Sequence, residues 1–146
     1  MKLPMSIREY LPHREPMLMV DTIVRLDSQF IETTFQIKDS NIFLENEYLN
    51  EIGIIENAAQ TSSGIVGCPH FESNKHKEGY KIQGYISTIK SVKIHSLPPK
   101  NSILQTKGEL LGIHSIDDIY NCNMKSETFI DDELVAQCFF NLIIKA

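Results

Sequence analysis

Glu56 is where chemistry is easiest to place in this sequence. In the run from Tyr48 to Gly67, Ile52, Ile55, Glu56, Ala59, Ser63 and Val66 recur at helical intervals, so a carboxyl shares one stripe with aliphatic side chains. Glutamate is almost never fully buried unless something pairs with it. Held among apolar neighbours within reach of a substrate, a carboxyl is suited to proton transfer. Gln60, one turn further on, is spaced to hydrogen-bond that carboxyl and hold its rotamer. A plainer reading has Glu56 facing water or a subunit interface, where it only solubilises the helix. Spacing alone divides the two evenly.

Little else in the chain competes. The five histidines (His13, His70, His76, His95 and His114) never stand at metal-ligand spacing from one another. Cys68-Pro69-His70 comes nearest to a metal cluster, and a loop leaving a helix explains it more simply. A phosphate-binding loop, a dinucleotide fingerprint, a serine-hydrolase elbow and an H-E-x-x-H helix are all absent from the sequence. The expectation is a site with no metal and no cofactor.

Composition narrows the class further. The 146 residues carry 14 Lys and Arg against 19 Asp and Glu, a net charge of −5, which argues against a nucleic-acid backbone binder. With 42% hydrophobic and 23% charged residues, the chain reads as one soluble globular domain spanning residues 1–146. Cys68, Cys122 and Cys138 are an odd set without a C-x-x-C pair. No apolar stretch reaches membrane-span length, and the start at Met1 lacks a secretory core. A reducing cytoplasm is the expected location.

The elements that must position Glu56 follow from hydropathy period. Met17 to Leu26 and Gln29 to Lys38 read as a pair of strands; in the second, Ile31, Thr33, Phe35 and Ile37 alternate with Glu32, Thr34 and Gln36. The helix from Tyr48 to Gly67 is apolar on more than one side, through Ile54, Ala58 and Ile65, so something must wrap it. Gly67, Cys68 and Pro69 are expected to stop it, and Glu72 to Gly79 to form an exposed loop. Period two returns from Tyr80 to Ile94 and continues through Ser102 to Gly112, Ile116 to Ser126 and Glu133 to Lys145. The last of these is apolar on both faces, as an internal strand or one packed on another subunit would be. One long helix among antiparallel strands packs most simply as an α+β hotdog fold, a curved antiparallel sheet wrapped around one central helix.

Two motifs carry a family resemblance. Leu11-Pro12-His13-Arg14-Glu15-Pro16-Met17-Leu18-Met19-Val20-Asp21 resembles the L-P-H-R-x-P-x-L-x-V-D opening of the 3-hydroxyacyl-(acyl-carrier-protein) dehydratases. Ile55-Glu56-Asn57-Ala58-Ala59-Gln60 resembles their L-E-A-M-A-Q, and Gly84 resembles the glycine of their G-I-D element. The resemblance implies a double-hotdog dimer, homo- or heteromeric, acting on acyl thioesters carried on the phosphopantetheine of an acyl carrier protein. It also implies Glu56 as the catalytic residue, with Gln60, Ser63, Gly64 and Gly84 around the substrate.

The departures are specific. Those dehydratases carry a G-H-F-P-G loop whose histidine partners the helix glutamate of the other subunit. Here the corresponding stretch, Ser40 to Tyr48, has no histidine, and the gap from His13 to Glu56 is several residues shorter. His13 is separate from the family's catalytic histidine and reads as structural, orienting the first strand. Ser63 stands where the family's oxyanion-binding glycine is expected, and Gly64 follows one residue late. The small hotdog proteins of aryl-polyene and flexirubin-type pigment clusters share this degenerate pattern. Three functions follow in order. The first is a dehydratase of fatty acid or polyene synthesis whose second group is Glu56's own proton, a water or an unidentified residue. Next come a partner subunit for a histidine-bearing hotdog, and then a thioesterase using the Gly53 amide to polarise the carbonyl.

Overall fold

A computed structural model describes residues 2–74 and 83–145. The chain opens with β1 (Met5–Ser6), a 3-10 turn (Ile7–Glu9), β2 (Thr22–Leu26) and β3 (Phe30–Gln36). A small hairpin, β4 (Leu44–Glu45) and β5 (Tyr48–Leu49), then leads into the single long helix α1 (Glu51–Asn74). Four long strands complete the fold: β6 (Gln83–Ile94), β7 (Ile103–Ile116), β8 (Ile119–Ile130) and β9 (Glu133–Lys145). Seven strands form one sheet in the order β1-β2-β3-β7-β8-β9-β6, antiparallel at every pairing. Helix α1 packs against β2, β3, β6, β7, β8 and β9, so the sheet wraps it as the hydropathy pattern requires. This is the hotdog fold.

Alternation explains the strands. Ile31, Thr33 and Phe35 turn inward from β3, and Cys138, Phe140, Leu142 and Ile144 do so from β9. The opposite face of β9 is half-buried, and β9 lies between β8 and β6. Its two apolar faces therefore mark an internal strand; the edges of the sheet are the two-residue β1 and the long β6. The β7–β8 and β8–β9 hairpins turn at aspartates, with φ of 55° at Asp117, 49° at Asp131 and 65° at Asp132. Asp tolerates this left-handed region better than bulkier residues, which is why these turns can be so tight.

Element boundaries differ from the sequence expectation at four places. The first strand joins the ladder at Thr22, because Met17 and Met19 give their backbone groups to α1 side chains instead of to a strand. The helix begins at Glu51, after Tyr48 and Leu49 have paired with Glu45 and Leu44. Asn50 caps it: its Oδ1 accepts from the Gly53 N–H at 2.9 Å. Gly67 and Pro69 lie within α1, which continues to Asn74; a proline removes one ladder bond, and helix propagation resumes beyond it. Of the expected loop Glu72 to Gly79, Glu72 to Asn74 are helical and the rest lies outside the described residues, as do Tyr80 to Ile82 of the next strand. The β7–β8 turn comes at Asp117-Asp118, so β8 spans Ile119–Ile130 and pairs with β9 to its end.

Polar side chains on a buried helix normally find partners, and among the described side chains of α1 Ser62 is the exception. Thr61 exchanges a hydrogen bond with Thr33 at 2.8 Å, and Asn57 Oδ1 accepts from Thr106 Oγ1 at 2.6 Å. At the other end of the packing scale, Gly53 has no room for a side chain. A Cβ there would lie 2.7 Å from Leu49 Cδ1 and 2.8 Å from Phe43 Cβ. Gly53→Ala improves helix propensity by roughly 1 kcal/mol but overpacks this corner by about 1–3 kcal/mol. The expected result is a net loss of about 1 kcal/mol, read as a lower urea midpoint at unchanged slope.

Candidate active site

Residues 10–19 cross the exposed flank of α1 and are tied to it at both ends. At one end the fully buried Tyr10 donates its hydroxyl to the Gly64 carbonyl at 2.6 Å. At the other, Gln60 accepts from the Met19 N–H through Oε1 at 2.8 Å and donates through Nε2 to the Met17 carbonyl, also at 2.8 Å. Asn57 Nδ2 adds a bond to the Met19 carbonyl at 2.7 Å. Between these ties Arg14 organises the turn, donating to the carbonyls of Arg8, Leu11 and His13. An Arg8–Glu15 ion pair closes its outer side. The peptide bonds before Pro4 and Pro16 are cis.

Beside this crossing lies an open cavity of about 380 Å³. His13, Glu56, Gln60 and Ser63 supply its polar lining. Ala59 of α1 and Leu142 of β9, together with Gly84, Tyr85 and Ile86 of β6, supply the rest. Glu56 is half-buried and its Oε1 accepts from Gln60 Nε2 at 2.9 Å, the pairing its spacing suggests. Gln60 thus holds the carboxyl and the crossing segment with one carboxamide. His13 is half-buried, and its Nδ1 is buried without a hydrogen-bond partner. Burial pushes the His13 pKa below its ordinary 6.5; the Glu56 carboxylate pulls it back up and the Arg14 charge pushes it further down.

The residues singled out from sequence are distributed unequally. Glu56, Gln60, Ser63, Gly84 and His13 line the one cavity. Ser63 donates its hydroxyl to the Gln60 carbonyl at 2.8 Å, within its own helix. Gly84 makes room for Ile144 of β9, since a Cβ there would stand 2.7 Å from Ile144 Cδ1 but at an ordinary 3.4 Å from Ser63 Cβ. Gly64 turns away from the cavity, toward Tyr10 and Ile31, and a Cβ there would meet Ile31 Cδ1 at 2.6 Å. The Ser40 to Tyr48 stretch contributes nothing to the lining. The Gly53 amide proposed as a thioesterase donor is already occupied by the Asn50 cap.

Sequence reasoning passed over Asn57 and Tyr10, and placed His13 at the strand entry instead of the cavity. For Asn57 the signal was a carboxamide in the middle of a helix that had to be buried. No group of three His, Cys, Asp or Glu among the described residues is placed to hold a metal. Cys68-Pro69-His70 falls in the last turns of α1, its side chains outside the described residues. Burial raises the Cys122 thiol to about 11 and the Cys138 thiol in the same direction, so neither is a ready nucleophile. No helix among the described residues is long and apolar enough to cross a membrane.

Fold and site together define a hotdog protein with a carboxyl-bearing cavity beside its central helix. The family model of the ApeP-like proteins, described as ApeP dehydratase, matches residues 5–94, and the chain belongs to this family. Among solved structures it is similar to the dehydratase heterocomplex ApeI:P of Xenorhabdus doucetiae, with 17% identity, a TM-score of 0.73, and coverage of 97% of this chain and 91% of that one. Cj0977, a sigma28-regulated virulence protein of Campylobacter jejuni, is similar at 11% identity and TM-score 0.65, over 92% and 83% of the two chains. A hypothetical thioesterase of Streptococcus pneumoniae, solved with coenzyme A, shares 14% identity at TM-score 0.58, over 85% and 84%. No curated relative matches in a sequence comparison.

The double use of Gln60 can be tested directly. Gln60→Ala leaves the buried Met19 N–H without a partner, at about 1–3 kcal/mol, and also removes the bond to the more exposed Met17 carbonyl, a smaller loss of about 1 kcal/mol. The expected loss is about 2–4 kcal/mol in urea unfolding, with hydrogen exchange at the Met19 amide accelerating before that of β9.

Proposed function

We propose that the protein is a subunit of a 3-hydroxyacyl thioester dehydratase whose substrate is carried on the phosphopantetheine of an acyl carrier protein. Glu56 is its proton-transfer residue. The observation that carries this reading is a carboxyl oriented by Gln60 in a cavity walled by Ala59, Ile86 and Leu142. Dehydration removes a proton from C2 and expels the hydroxyl from C3, so a carboxyl held beside an acyl chain is the group the reaction needs. The cavity size suits the reacting end of a thioester and part of its chain.

The site also asks for a second hotdog subunit. β6 is an edge strand of twelve residues with one side of its backbone unpaired. Beside it, Ile52 of α1 is 63% exposed and Ile89 of β6 is 47% exposed, flanking the Glu56 stretch with apolar surface. A second subunit adding its own edge strand here would pair that backbone, cover both isoleucines and close the cavity. A hotdog dimer, of two copies or of this chain with a relative, is therefore the working unit in this reading. The neighbouring ApeI:P structure is itself a heterocomplex of dehydratases, which favours the second form.

Glu56→Gln is nearly isosteric and should leave the circular dichroism spectrum and the oligomeric state unchanged. It should lower the rate of enoyl thioester formation from a 3-hydroxyacyl carrier protein by about 100-fold or more. Light scattering on the purified chain should give a mass above the 16.7 kDa monomer, alone or after mixing with a second hotdog subunit. Activity that appears only in the mixture, and is lost again with Glu56→Gln, identifies the heteromeric form. Release of free thiol from saturated acyl thioesters by the wild type would replace this reading with a thioesterase.

A further inference from the structure

Dehydration needs two proton-transfer groups with different tasks, and the Ser40 to Tyr48 stretch offers no histidine to partner Glu56. We propose that His13 is the second catalytic group, acting in the same chain as Glu56 from the crossing segment above the helix. The inference rests on the dehydratase reading and names the residue that completes it.

Three observations carry it. First, His13 lines the same cavity as Glu56, and among the described residues it is the only histidine there. Second, its position is fixed from both sides. The Tyr10 hydroxyl is bonded to Gly64, Gln60 is bonded to Met17 and Met19, and Arg14 is bonded to the His13 carbonyl itself. A ring carried on a turn held this firmly is oriented before substrate arrives. Third, Nδ1 is buried and lacks any partner in the folded chain. An orphaned buried polar atom costs about 1–3 kcal/mol, and of the four such atoms among the described residues His13 Nδ1 is the one whose residue lines the cavity.

Two other polar lining groups are already engaged. The Ser63 hydroxyl is bonded to the Gln60 carbonyl, and the Gln60 carboxamide carries the crossing segment and the Glu56 carboxyl. The groups that face or flank the imidazole are Glu56 from α1, Tyr85 from β6 and Arg14 beside it in the turn. Burial and Arg14 favour the neutral ring over the cation, which leaves the imidazole able to accept a proton at neutral pH.

The step balances with one proton shared by the pair. A neutral His13 imidazole takes the C2 proton as the C2–H bond breaks, and those electrons form the C2=C3 double bond. The C3–O bond breaks with its electron pair on oxygen, and the Glu56 carboxyl delivers a proton so that the hydroxyl leaves as water. His13 then carries a proton that Glu56 lacks; passing it back restores the starting state. No oxidant, metal or further reactant enters.

The experiment compares wild type, His13→Gln and Glu56→Gln, each alone and mixed with a histidine-bearing hotdog subunit, on a 3-hydroxyacyl carrier protein. His13→Gln should lower kcat by about 100-fold while KM stays within a few-fold, the range for loss of one acid–base group. In the wild type kcat/KM should fall toward acid pH as the imidazole takes a proton, and that limb should vanish from the residual activity of His13→Gln. A readout independent of turnover is the NMR titration of the His13 ring. Because the Glu56 carboxylate raises the His13 pKa, Glu56→Gln should move the ring's midpoint to lower pH. A midpoint unmoved by Glu56→Gln overturns the proposal, as does a His13→Gln protein that dehydrates within threefold of wild type, about 0.7 kcal/mol in barrier. Either result leaves the dehydratase reading standing. A wild type that dehydrates neither alone nor in the mixture, with the ring midpoint shifting as expected, overturns the dehydratase reading itself.

Discussion

One carboxamide holds this site together. Gln60 is almost wholly buried, accepts from Met19, and donates to both Met17 and Glu56. Backbone groups at Met17 and Met19 would otherwise lie against the helix without a strand to pair with, and buried backbone polar groups are seldom left so. The helix therefore acts toward this segment as a sheet edge would, through side chains in place of a ladder. Because the same amide nitrogen bonds the Glu56 carboxyl, the crossing segment and that carboxyl share a partner and can be placed only together.

The requirement spreads outward from there. A crossing segment bound to α1 must leave the sheet, which is why β2 joins the ladder only at Thr22. The helix face that receives it must be polar at Asn57 and Gln60, yet both lie in the interior and so need full satisfaction. Asn57 meets this by bonding Met19 on one side and Thr106 of β7 on the other, tying the segment to the middle of the sheet. The sheet answers with a small residue where β7 faces the helix: Gly108 has no space for a Cβ against Ile31 and Ser62.

The same geometry explains how one cavity can hold a carboxyl and an imidazole from distant parts of the chain. The imidazole reaches it on the segment that crosses the helix. The route used here depends on Tyr10 and Arg14 as much as on His13, since they set the height and direction of the turn. The open β6 edge is a different matter. It leaves twelve residues of backbone with one side unpaired, a feature that folded proteins normally cover.

Much of this was legible in the residues. Period two in β3, β8 and β9, and the helical spacing around Glu56, reflect side-chain directions that local geometry dictates, so the helix-in-sheet architecture and the Glu56–Gln60 pair were readable from spacing. Boundaries at Thr22, Asn74 and Ile130 were not, because a backbone group's partner is a tertiary matter: Met17 and Met19 look like strand residues until Gln60 and Asn57 claim them. The position of His13 was also beyond local reading. It lies 43 residues before Glu56 in the chain, and only the ties of Tyr10 to Gly64 and of Met19 to Gln60 bring the two to one cavity. Sequence determined which groups were present and which faces they shared; the fold decided which of them meet, because hydrogen bonds between distant segments exist only once the helix is enclosed.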